Sequence, residues 1–165
     1  MKVRRVLRNL LTPPWAARRR FDAGVLDAVE AAIRASESRH TGEIAFAVEG
    51  ALEPRDLWRG TSVRERAIEV FSELRVWDTA ENDGVLIFVL LAERDVEIVA
   101  DRGAAARIPP ENWERVCRAM EEHFRAGRFQ EGALAGVHGV GELLARHFPR
   151  AGGDANELGD RPVVR

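Results

Sequence analysis

Four acidic residues, Glu43, Asp78, Asp83 and Asp101, are the side chains of this chain best suited to chemistry. Hard cations such as Ca²⁺ or Mg²⁺ need clustered oxygen ligands, and these carboxylates, brought to one sheet edge, would supply them. Their separations in sequence match no local calcium loop, so any convergence must come from the fold. The competing reading makes Asp83 a turn residue within Asn82-Asp83-Gly84 and Asp78 a cap. Arg102 beside Asp101 would favour an ion pair over a cation site. Arg94 and Arg102 are candidate ligands for a phosphate or an acidic partner, and Trp77, next to Asp78, is a candidate site wall.

The elements that must position these residues centre on residues 82–103. Residues 85–91 are an unbroken apolar run between Asp-Gly and a charged trio, which predicts a strand buried on both faces. Glu93-Arg94-Asp95 reverses the chain, and Val96, Ile98 and Ala100 alternate with Glu97, Val99 and Asp101 as in an antiparallel neighbour. The hairpin sets Asp83 and Asp101 at the same edge of the sheet.

Upstream, Asp22 caps a helix with the stripe Val25, Leu26, Val29, Ala32 and Ile33, running to about residue 38. A central strand follows over 43–49, then a loop over 50–60. Ser62-x-x-Glu65 is a capping box opening a helix with Val63, Ala67, Val70, Phe71 and Leu74 on one face. Downstream, a small-residue loop leads to Pro109-Pro110 and a helix striped by Trp113, Val116, Cys117, Met120 and Phe124. Gly127 closes that helix, and a last one spans 129–147, with glycines that permit close packing. The fold class is α/β: a three-layer α-β-α sandwich with a small mixed sheet, built on one βαβ unit plus an antiparallel strand. The expected order is α-β-α-β-β-α-α.

Three regions are expected: a basic arm over 1–20, the α/β domain over 21–149, and a disordered tail over 150–165. The arm holds Lys2, Arg4, Arg5, Arg8, Arg18, Arg19 and Arg20 without one acid, and Val3, Val6, Leu7, Leu10 and Leu11 recur at helical spacing. Such a helix can lie on an anionic membrane surface; the simpler alternative is a short helix docked on the domain. A net charge of −2 argues against a nucleic-acid binder. The single cysteine, Cys117, allows neither an intramolecular disulfide nor a cysteine zinc site and reads as a buried structural thiol. No apolar run reaches the roughly 20 residues of a bilayer span, and residues 1–20 do not pattern as a signal peptide. The expected location is the cytoplasm, with peripheral membrane contact through the arm.

Four segments carry a family likeness: Thr41-Gly42-Glu43-Ile44, Arg66-Ala67-Ile68-Glu69-Val70-Phe71, Asn82-Asp83-Gly84-Val85-Leu86-Ile87 and, most specific, Phe124-Arg125-Ala126-Gly127-Arg128-Phe129-Gln130-Glu131-Gly132. In these the chain resembles the TPM domain family, known from thylakoid acid-phosphatase-like and photosystem II repair proteins and from many bacterial proteins. The likeness covers roughly residues 22–148. It implies an α/β sandwich, an acidic metal site near strand ends and an acid phosphatase activity. Two departures bear on that site. The family's Asp-Asn-Gly before the second strand is here Asn82-Asp83-Gly84, and its Gly-aromatic-Gly after the third is Asp101-Arg102-Gly103.

Two functional readings follow. One is a non-catalytic binding module whose acidic edge and tryptophans contact a divalent cation (Ca²⁺ or Mg²⁺) or a protein partner. The other is a weak metal-dependent acid phosphatase, hydrolysing phosphomonoesters by a metal-activated water. The chain has no P-loop, no C-x5-R signature and no histidine pair at ligand spacing; His40, His123, His138 and His147 are scattered. The binding module is therefore the preferred reading.

Overall fold

A computed structural model describes residues 3–150 and 156–165. The chain runs through α1 (Val3–Leu11), α2 (Ala16–Arg20), α3 (Ala23–Glu37), β1 (Ile44–Glu49), α4 (Pro54–Arg59) and α5 (Val63–Glu73). It continues through β2 (Val85–Leu90), β3 (Asp95–Ala100), α6 (Arg102–Arg107), α7 (Pro110–Arg125), α8 (Phe129–His147) and β4 (Val163–Val164).

The strand built from the apolar run is buried at all six positions. It pairs parallel with β1, Ile44 opposite Val85, and antiparallel with β3, Val85 opposite Ala100. Alternate side chains serve two cores, as the two-residue period of a strand requires. Val85, Ile87 and Val89 join Phe21, Ile33, Met120 and Val140 in a core under α3, α7 and α8. Leu86, Phe88 and Leu90 join Leu57, Val70 and Phe71 beneath α4 and α5. The result is a three-layer α-β-α sandwich on an open mixed sheet of order β3-β2-β1-β4. The expected caps form: Asp22 accepts from the Val25 N–H, and Ser62 with Glu65 closes a reciprocal capping box. The α8 glycines allow the close packing expected of them; a Cβ on Gly136 would overlap the Met120 side chain.

Three segments differ from expectation. The loop over 50–60 contains α4, started by Pro54, a good first-turn residue. The small-residue loop after Asp101 is the short helix α6. The expected disordered tail is, over residues 156–165, an ordered strap ending in an edge strand, with Val163 opposite Ala47; residues 151–155 lie outside the described residues. With Leu158, Val163 and Val164 as its only large apolar residues, the strap could not bury enough surface alone. Partners far upstream order it: Glu43 accepts from the Glu157 and Leu158 N–H groups, and Arg161 pairs with Asp27 and Glu30.

Where strap, sheet and crossover helix meet, Arg66 grips Glu49 with both arms of its guanidinium, at 2.7 and 3.0 Å. Both side chains are nearly buried, and Arg165 lies 3.7 Å from the same carboxylate. Removing one partner from a buried pair leaves an uncompensated charge, whereas removing both costs far less. Arg66→Met should therefore lower stability by about 3 kcal/mol in urea denaturation, and Arg66→Met/Glu49→Met should recover most of the loss.

Candidate functional site

The Asn82-Asp83-Gly84 turn is shaped by its two outer residues. Asn82 takes a left-handed φ of 53°, which asparagine tolerates. A Cβ on Gly84 would overlap the Val76 carbonyl oxygen. Between them Asp83 is held at 1% exposure. Its N–H donates to Thr79 Oγ1 at 3.2 Å, and its Oδ2 accepts from Thr41 Oγ1 at 3.1 Å. Its Oδ1 is buried without a hydrogen-bond partner. Burial pushes the Asp83 carboxyl above its ordinary value, against the lowering effect of Thr41, and Glu157 adds like-charge repulsion.

Asp101 ends β3. Its N–H donates to the Gly84 carbonyl at 2.8 Å, and it is the N-cap of α6, with Oδ1 accepting from the Arg102 N–H at 2.8 Å. Its Oδ2 is likewise buried and unpartnered. The Arg102 guanidinium turns to Asn82 Oδ1 at 3.3 Å. The Asn82 carbonyl accepts from the Gly103 and Ala104 N–H groups, tying α6 to the turn. Asp83 and Asp101 thus share one sheet edge, as their hairpin predicts. Asp101 stands opposite Gly84, one position from Asp83; in a regular pleat, side chains so related leave opposite faces.

The other candidates are placed elsewhere. Glu43 is buried near this edge, with both oxygens taken by the strap's N–H groups. Asp78 is exposed and paired with Arg75 at 2.7 Å, and the Arg75 guanidinium lies over the half-exposed Trp77 ring. Arg94 sits in the β2–β3 turn, a full strand length from Arg102, or roughly 20 Å. Among the described residues, no three of His, Cys, Asp and Glu are arranged to hold a metal ion. The donors on hand suit a hard cation in kind: two unsatisfied carboxylate oxygens, with the Thr41 hydroxyl beside one of them. A cleft of about 330 Å³ opens at the same edge, lined by Thr41, Glu81, Arg107, His147 and Glu157.

Sequence reasoning missed a buried polar cluster behind this edge. His40 is 1% exposed; its Nδ1–H donates to the Gly42 carbonyl at 2.8 Å, so its Nε2 accepts from Ser36 Oγ at 2.9 Å. Burial lowers its pKa to about 4, which keeps it neutral. Glu37 accepts from the Ile44 N–H at 3.0 Å, and burial, with Glu43 and Asp160 nearby, raises it to about 8. The only hint in the sequence was position: Glu37 ends α3 and His40 follows three residues later, just past the stripe. Cys117, expected to be buried, is half-buried against the core on α7, and desolvation pushes its thiol up to about 12.

The chain belongs to the TPM domain family, whose model matches residues 17–143. It is similar to the BA42 protein of the psychrophilic bacterium Bizionia argentinensis, solved by NMR. The two are 29% identical, with a TM-score of 0.77 over 87% of this chain and 94% of that one. It shares its fold with the N-terminal domain of a P. gingivalis protein, at 19% identity and TM-score 0.57, over 79% of this chain and 82% of that domain. Comparison with curated proteins finds no match. No described helix is long and apolar enough to cross a membrane.

The buried cluster sets a pH dependence. Glu37 has a folded value above its ordinary 4.5, so its contribution is full at low pH and is lost as pH rises through about 8. His40 is depressed, so its contribution is complete above its ordinary 6.5 and adds no slope there. Stability should therefore fall by about 1–2 kcal/mol between pH 6.5 and 8. Glu37→Gln should flatten that slope in melting curves taken across the same range.

Proposed function

We propose that this TPM domain is a non-catalytic binding module whose acidic sheet edge takes a divalent cation, Ca²⁺ or Mg²⁺. The observation that carries this reading is the orphaned Asp83 Oδ1, which with Asp101 Oδ2 is one of the two buried side-chain N or O atoms without a partner among the described residues. An unpaired buried carboxylate oxygen costs stability, and a bound cation would remove that cost. Asp83 is the main ligand in this reading, with Thr41 beside it. Backbone carbonyls and water complete the shell, as hard cations accept. Asp101, Glu157 and Glu81 stand around it, with Arg102 and Arg107 at the same edge.

Phosphomonoester hydrolysis, which the family resemblance implies, has less support. Arg94 and Arg102 stand at opposite ends of β3, so they do not form a joint phosphate cradle. Arg102 is engaged with Asn82.

Asp83→Asn should raise the melting temperature of the metal-free protein, because it removes a carboxyl that burial disfavours. In the wild type, Ca²⁺ or Mg²⁺ at about 100 times its dissociation constant should add about 2.7 kcal/mol, a rise of roughly 5–10 °C. The rise should vanish in Asp83→Asn and shrink in Asp101→Asn, which keeps the cap. If no cation shifts the wild type relative to EDTA, the cation reading fails.

A further inference from the structure

The N-terminal helix is docked by its polar side. Asn9 is 3% exposed; its Oδ1 accepts from the Leu52 N–H at 2.8 Å and its Nδ2 donates to Glu93 at 3.2 Å. Arg5 reaches Glu93 at 2.7 Å and the Thr61 carbonyl at 2.6 Å. A helix packed for stability alone would bury its leucines. Here Val3, Leu7, Leu10 and Leu11 point outward, and Trp15 follows in the next turn; each is at least half exposed. At about 100° per residue the apolar arc lies opposite Arg5 and Asn9, with Arg4 and Arg8 on its flank.

The charge around this face is one-sided. Residues 1–20 hold seven cations and no acid, in a chain whose total is −2, so the remainder carries nine more acids than cations. Beside α1, Arg8, Arg20, Arg94 and Arg125 line a cleft of about 640 Å³, with Leu91 and Phe129 among its apolar walls and no acid lining it. Arg20 is held over the Phe129 ring at 4.8 Å. The cleft lies at the far end of β2 from Asp83. A second copy is a poor occupant: a two-fold contact through α1 would bring the arginines flanking this face toward those of its mate.

We propose that α1 and this cleft dock the protein on an anionic phospholipid bilayer. The apolar face of α1 and Trp15 enter the boundary between headgroups and acyl chains, and the cleft arginines meet headgroup phosphates. Amphipathic helices with basic flanks bind lipid in this way. The charge distribution turns the acidic body away from the surface. The Arg5 and Asn9 contacts fix the helix so that its apolar face stays outward.

The test is co-sedimentation of the full chain with vesicles of phosphatidylcholine alone or with about 30% phosphatidylglycerol, whose added charge is what the arm would sense. Binding should require the anionic lipid and weaken as salt rises from about 0.05 to 0.5 M. At roughly fivefold per basic residue, Arg4→Ala/Arg8→Ala should weaken it about 25-fold. Leu7→Glu/Leu11→Glu should abolish it with circular dichroism and melting temperature unchanged, since both leucines are exposed. Equal partition into both vesicles, no binding to either, or undiminished binding by the Leu→Glu variant would overturn the proposal. A dimer in light scattering that the Leu→Glu variant splits, without vesicle binding, would assign the face to a second copy instead.

Discussion

Burying β2 on both faces is the constraint on which the rest of this structure depends. A strand with no solvent on either side must have every backbone N–H and C=O paired, so β1 and β3 have to flank it along its whole length. Its apolar side chains then need a helical layer above and another below. The crossover helix α5 supplies one; α3, α7 and α8 supply the other. The turn that starts β2 is squeezed between the end of α5 and the start of α6, so close to Val76 that only glycine fits at position 84.

Buried acids do most of the polar fastening around this sheet. Glu43 caps the strap's N–H groups, Glu37 holds the first residue of β1, Glu49 pairs with Arg66, and Asp160 takes Arg34 and Asn156. Glu43, Glu49 and Asp160 are offset by donors or cations, as burial demands, and Glu37 is driven toward its neutral form by burial. Asp83 and Asp101 depart from that pattern, each keeping one oxygen unsatisfied. In a chain that otherwise provides for its buried acids, these two unsatisfied oxygens set this edge of the sheet apart.

The two ends of β2 carry opposite character. Its start gathers Asp83, Asp101, Glu81 and Glu157 with Arg107 among them, closed in by Thr41 and the α6 cap; its end opens into a cleft lined by four arginines and no acid. The separation keeps the two charge clusters at opposite ends of one strand, where their fields act on different parts of the surface. The strap contributes to the first through Glu157, which accepts from the Ala80 N–H, and the arm contributes to the second through Arg8 and Arg20.

Local pattern determined the seven main elements. A continuous apolar run, a two-residue alternation, helical stripes and the caps at Asp22 and Ser62 each depend on neighbours within a few positions, and they carried both the sandwich and the shared edge of Asp83 and Asp101. The family was legible for the same reason, in short motifs such as the one from Phe124 to Gly132. Only the tertiary structure decided which acids were free. Glu43 is occupied by N–H groups 114 and 115 residues away, a pairing no local pattern encodes, whereas the pairing of Asp78 with Arg75 is local, three residues apart. The strap looked disordered because its order comes from distant partners and not from its own apolar content. The orientation of α1 was hidden for a similar reason. Its amphipathic spacing defines two faces, but which one meets the domain depends on Glu93 and Leu52, whose nearness only folding creates.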